Sequence, residues 1–169
     1  MRTIPDPGFA DDEGSPDPEL ESALAAHAAD GRSAPVLVAL GAARLLVPVV
    51  AVLEAAGSGE HGLPVDKSSD MAAVLMTGRD GRQALLAFSG VETLATWDAS
   101  ARPVPVSARL AAAAACQEGA AALVVDVAGP VPFVLQGDDL LRVAAGHRLV
   151  EVPGGHAWQP QTSVAAPVD

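Results

Sequence analysis

The chain has no tyrosine, only three phenylalanines and two tryptophans, and a single lysine, Lys67. Without interleaved aromatics there is little on which nucleic-acid bases could stack. The nine arginines are scattered rather than clustered, so no basic stripe tracks a phosphate backbone and nucleic acid is not expected as a partner. One cysteine, Cys116, rules out an internal disulfide and fits a reducing compartment. The start, MRTIPDPGFADDEGS, lacks the apolar run of a secretory signal, which makes the cytoplasm the expected location. Nor is a membrane span expected. The one candidate, residues 34–57, carries Arg44 near its middle at about 2.5 to 3.5 kcal/mol on insertion scales, with Pro48 just beyond.

What is present is small and aliphatic. Half of the residues are apolar, mostly Ala and Val, which is enough for one core in a chain of 169 residues. The net charge of −11 is uneven: residues 1–33 hold eight acids against two bases, and residues 34–148 hold eleven against eight. The preference for Arg over Lys, with abundant Ala, Gly, Val and Pro, matches coding bias in a GC-rich genome.

Residues 1–16 are acidic and without period, which predicts a flexible lead-in. In SPDPELESALAAHAADGR, Asp17 caps, Pro18 suits the first turn and Gly31 stops a helix whose inner face carries Leu20, Leu24 and His27 or Ala28. Ser33 and Pro35 open a second short helix ending at Gly41. A strand follows over ARLLVPVVAVLE, in which Pro48 argues for an edge position or a bulge. Residues 55–67 form a polar loop.

SSDMAAVLMTGRDGRQALLAFSG, residues 68–90, reads as two strands about Asp80-Gly81, a strong hairpin signal. A two-residue turn sets Arg79 opposite Arg82, Met76 opposite Leu85 and Leu75 opposite Leu86. Neither strand alternates cleanly, which predicts cover on both faces and a place at the sheet centre. Ser89 with Glu92 predicts a capping box for a helix that turns Leu94 and Trp97 inward. RPVPVS belongs at an edge; Ser107 caps an alanine-rich helix that Gly119 ends; AALVVDVAGPVPFVLQ supplies two strands; and GDDLLRVAAGH supplies a last helix. Beyond residue 148 no period is visible, which predicts a loose tail over 149–169 and an ordered domain over 17–148.

The chemical motifs fall short of their requirements. Neither G-x-x-x-x-G-K-[ST] nor G-x-G-x-x-G occurs, and the hairpin tip GRDGR leads into a strand where a phosphate cradle leads into a helix. Ser68, Ser69 and Asp70 are adjacent, but no G-x-S-x-G elbow displays a serine and no histidine is spaced to serve it, so no catalytic residue is assigned. His27, His61, His147 and His156 show no metal-ligand spacing; no metal and no cofactor is expected. Cys116 sits near a helix C-terminus, where the dipole disfavours its thiolate, so it reads as core filler. Asp126, an acid among valines, must either face water or find a partner, and Arg44 is one conceivable mate.

ARLLVPVVAVLE, SSDMA, RQALLAFSGVETLATWD, RPVPV and EGAAALVVDVAGPVPFVL, in that order, resemble the N-terminal domain of SseB family proteins, in the form met in GC-rich bacteria. The resemblance spans about residues 20–147, and its most telling piece is Phe88, Ser89, Glu92, Leu94, Ala95 and Trp97. These are signatures of architecture. The family takes its name from an effect on serine sensitivity, and the resemblance brings no catalytic residues; the second, C-terminal domain that some relatives carry is not expected in these 169 residues.

Together these features predict a single α+β domain with a mainly antiparallel or mixed sheet of about five to six strands around a central hairpin, with helices packed against it. The expected function is a non-catalytic module that binds a protein partner or itself. The alternative is a small-molecule sensor, for an amino acid, with Ser68, Ser69, Asp70, Trp97 and Asp126 around one pocket.

Overall fold

The computed structural model describes residues 9, 11–52 and 70–161. Its elements run α1 (Pro18–Asp30), α2 (Ala34–Leu40), β1 (Arg44–Val52), β2 (Asp70–Ala73), β3 (Leu75–Thr77), β4 (Gln83–Ala87), α3 (Val91–Trp97), β5 (Arg102–Ser107), α4 (Ala108–Gln117), β6 (Ala122–Val125), β7 (Phe133–Gln136), α5 (Gly137–Ala144), β8 (His147–Val152) and β9 (Gly155–Pro160). The strands order as β2-β1-β5, β3-β4-β6-β7 and β8-β9. All neighbours are antiparallel except β4 and β6, which run parallel with α3, β5 and α4 in the crossover. The architecture is a single α+β domain.

Local signals set the helix ends. The Asp17 carboxylate accepts from the amides of Glu19 and Leu20, and Gly31 closes α1 in the left-handed region at φ 72°. Ser107 accepts from the amide of Leu110 and starts α4. The buried face of α4 is Ala108, Ala111, Ala112 and Ala115, a spacing that gives one stripe of minimal side chains against the sheet. Cys116 lies half-buried beside that stripe.

The strand β4 explains the missing alternation. Leu85 and Ala87 enter the larger core, which α1, α2 and α4 cover together with Leu123 and Leu135. Leu86 and Phe88 enter a smaller core with Leu46, Leu94 and Val124, closed by Trp97. From Leu85 to Phe88 both faces of the strand are thus buried, as the apolar run implies, while Ala84 near its start is half-buried. The same does not hold for β3, which is an edge strand with Met76 exposed.

The hairpin forms where Asp80-Gly81 places it, with a different loop. Gly81 donates to the Gly78 carbonyl at 3.0 Å and takes φ 79°, while the Gly78 amide donates to Arg82 at 2.8 Å. Three residues rather than two therefore span the turn, ending in a left-handed glycine. The register moves by one: Leu75 opposes Leu85, Met76 opposes Ala84 and Thr77 opposes Gln83. Leu75 rather than Met76 then shares a face with Leu85, and Met76 turns to the outer face.

Pro48 stands in β1, the middle strand of its sheet, not at an edge or a bulge. Leu46 exchanges both backbone groups with Phe88 at 2.8 Å, on the side of β1 away from β5. Because pairs along an antiparallel ladder alternate, Leu46 opposite Pro105 and Pro48 opposite Pro103 are non-hydrogen-bonded pairs. Toward β5 the prolines cost the ladder no donor, and on the other side of β1 Pro48 falls between the Leu46–Phe88 bridge and the β1-β2 ladder, which begins at Val49. The strand β5, carrying Pro103 and Pro105, lies at the edge as its sequence implies.

Two segments expected to lack structure have it. Residues 147–160 form the β8-β9 hairpin, with Leu149 buried in the larger core, Arg142 lying 5.8 Å above the Trp158 ring, and the Gln161 amide donating to Gly146 at 2.7 Å. Residues 11–16 of the acidic lead-in dock on the start of α3: Asp12 meets Arg44, and Val91 donates to the Gly14 carbonyl at 2.9 Å.

Candidate ligand site at Asp126

Because β4 and β6 are adjacent and parallel, their C-terminal ends lie side by side, and the chain leaves both at the same edge of the sheet. Ser89 and Asp126 occupy those exits. The Asp126 amide extends the ladder by donating to Ala87 at 3.0 Å, after which the residue takes φ 56°, the one non-glycine in the left-handed region among the described residues. Aspartate tolerates that region better than most residues because its short side chain bonds locally. The turn is closed by Gly129 donating to the Asp126 carbonyl at 2.9 Å.

The twist aims the carboxylate at the start of α3. Its Oδ1 accepts from the Ser89 amide at 2.8 Å, its Oδ2 accepts from the Ser89 hydroxyl at 2.7 Å, and the Thr93 hydroxyl lies 2.7 Å from Oδ1 and 3.0 Å from the Gly90 carbonyl. Asp126 is 3 % exposed and Ser89 5 %. The expected capping box is absent: Gly90 is the N-cap of α3, it has no side-chain bond, and the Ser89 hydroxyl points to Asp126 instead. As a cap the Ser89 oxygen would accept from a helix amide; here the hydroxyl is instead turned to donate to the buried Asp126 carboxylate, and hydrogen bonds to a carboxylate are among the stronger ones.

Arg44 does not pair with Asp126. Its guanidinium donates to the Ser89 carbonyl at 3.0 Å and to Asp12 Oδ1 at 2.7 Å, with both ion-pair side chains 12 % exposed. Arg44 and Asp126 thus grip the same residue, Ser89, from opposite ends of its backbone. This brings the docked segment over α3. A methyl on Gly14 would stand 2.3 Å from Val91 Cγ1, so that contact requires glycine, and one on Gly90 would press on Pro16 at 3.0 Å.

A cavity of about 460 Å³ opens over this arrangement, with Ser89, Thr93 and Asp126 at its polar end, Leu24 and Val131 on its apolar walls, and Glu21 and Glu92 at its rim. The volume is in the range of small-molecule sites. Of the residues expected around a pocket, Asp126 lines this one. Trp97 does not: it packs on Phe88, ring centroids 5.5 Å apart, on the side of α3 that faces the smaller core. Asp70 begins β2, paired with Val52, and Ser68 and Ser69 lie outside the described residues. Sequence reasoning misses Ser89, Thr93, Glu21 and Glu92 as lining residues; the signal available is the small Ser-Gly step at the exit of a buried strand.

His27 is a packing residue, its ring edge-on to Phe133 at a centroid distance of 5.3 Å. Among the described residues no three His, Cys, Asp or Glu side chains gather as metal ligands, and no helix is long and apolar enough to cross a membrane.

The SseB protein N-terminal domain family matches residues 20–141, most of the described fold, and the chain belongs to that family. No curated protein and no solved structure matches it.

Proposed function

We propose that the chain is a non-catalytic module that binds a protein partner or a second copy of itself. The observation that carries this is the outer face of the β3-β4-β6-β7 sheet. Met76, Ala84, Ala122 and Gln136 fall in one row across the four strands, with Val134 beside them opposite Val124. Met76 is 37 % and Val134 48 % exposed, while the two alanines form a shallow floor between them. Among the described residues no helix covers that row, and the edges of β3 and β7 flank it with unpaired backbone, the arrangement that accepts an added strand or a second sheet. The reading is tested by sedimentation velocity over a range of concentrations, with Val134→Asp alongside. A weight-average mass that rises with concentration, and falls back in the variant, supports self-association. A monomer at every concentration restricts the face to a different protein, and capture of a partner that Val134→Asp leaves untouched rejects the face altogether.

A second reading, a small-molecule sensor for an amino acid linked to serine sensitivity, is favoured by the cavity over Asp126. Its test is a rise in melting temperature with L-serine or another amino acid.

A further inference from the structure

We infer that the cavity over Asp126 selects an organic ammonium cation with an apolar body, and rejects the zwitterion of an amino acid. This rests on the small-molecule reading of that cavity and replaces the amino acid named there with an amine. Asp126 is a carboxylate 3 % exposed, and every group that bonds it is neutral: the Ser89 amide and the hydroxyls of Ser89 and Thr93. Among the described residues no cation pairs with it, and Arg44, the guanidinium joined to it through Ser89, is already engaged by Asp12. A buried charge held only by neutral donors gains from a counter-charge that reaches it.

The cavity supplies the route. Among the described residues its lining contains Asp126, Glu21 and Glu92 and no Lys, Arg or His. An ammonium entering it meets attraction at the rim and at the floor. A carboxylate carried by the same ligand meets repulsion at both and finds no base to bind it. Two oxygen atoms offer about four acceptor directions, and three donors lie at them, so one direction remains for an ammonium proton. Leu24, Ala25, Pro130 and Val131 give the walls on which an aliphatic body packs.

The test compares matched probes on the full chain by isothermal titration and by amide NMR shifts: isoamylamine, L-leucine and isoamyl alcohol, and then ethanolamine beside L-serine. Binding of the amines alone, with shifts centred on Ser89, Gly90 and Gly129, is expected. Asp126→Asn should weaken amine affinity about tenfold to a hundredfold, the worth of a charge-assisted bond. Because Asp126→Asn disturbs a buried network, the rim variant Glu21→Gln with Glu92→Gln is measured beside it; it leaves that network intact and should weaken the amines, while the alcohol stays unbound in the variant as in the parent. Tighter binding of L-leucine or L-serine than of its amine overturns this inference and leaves the sensor reading standing. Binding of no probe, or amine shifts confined to another face, overturns both.

Discussion

Ser89 gives both of its protons to one side chain: the amide reaches Asp126 Oδ1 at 2.8 Å and the hydroxyl reaches Oδ2 at 2.7 Å. Through this double contact the ends of β4 and β6 are tied together and the first residues of α3 are aimed. Removing the hydroxyl leaves a buried carboxylate oxygen without its donor. Ser89→Ala should therefore destabilise the fold by about 1 to 3 kcal/mol, read from urea unfolding. An unchanged midpoint would mean that water reaches Oδ2 in its place.

The contact between Arg44 and Asp12 holds residues 11–16 over α3. Asp12→Asn keeps the shape of the side chain and removes its charge, leaving a guanidinium 12 % exposed with only carbonyl partners. A loss of about 1 to 3 kcal/mol is expected, with faster proteolytic cleavage near Gly14. Cleavage at the wild-type rate would show that the segment stays docked without the pair.

Two glycines separate strain from space. Gly81, at φ 79°, has nothing within 4 Å of where an added methyl would stand, so Gly81→Ala should cost only the left-handed penalty of about 1 to 2 kcal/mol. Gly14, at φ 80°, would bring that methyl to 2.3 Å from Val91, so Gly14→Ala should also shift the amide resonances of Val91 and Gly90. Equal and purely local spectral changes in the two variants would contradict the docking of Gly14 on α3.

At the hairpin tip the Arg82 side chain donates to Asp80 at 2.6 Å and its amide donates at 3.1 Å. These bonds, the side-chain one first, hold the Asp80 carboxyl below its ordinary 3.8. An acid depressed by folding stabilises the native state above its unfolded pKa, and that contribution is lost as pH falls through the folded value. The window therefore lies below pH 3.8, and the effect is small because water screens an exposed pair. A carboxyl NMR titration should place the Asp80 midpoint under 3.8 and move it upward in Arg82→Gln; a midpoint at or above 3.8 in the parent would show the contact to be absent in solution.

How much of this was legible in the letters differs element by element. Asp17 and Gly31 bound α1 as expected, since a cap and a left-handed stop act within one turn of backbone. Asp80-Gly81 marked the hairpin tip, but the two-residue loop it favours would have paired Met76 with Leu85. The burial of Leu75 and Leu85 against helices far away in sequence selects the other register. Residues 149–160 carry no clear alternation, and they become strands because α2 and α5 offer a surface on which Leu149 and Trp158 pack. At the site, Asp126 stood out as an acid among valines, whereas Ser89 read as a cap because nothing local reveals a carboxylate 37 residues away.

The sequence alone determined which stretches coil into helix, that the chain turns at Asp80-Gly81, where alanine makes a thin helix face, and that Asp126 stands out as an acid among valines. Only the tertiary structure decided that Ser89 and Thr93 donate to Asp126, that Arg44 goes to Asp12, and that Pro48 sits harmlessly inside a middle strand. The division has a physical cause. Caps, turns and propensities are energies between residues a few positions apart, while register and ion pairing depend on which distant surfaces the parallel β4-β6 pair brings together.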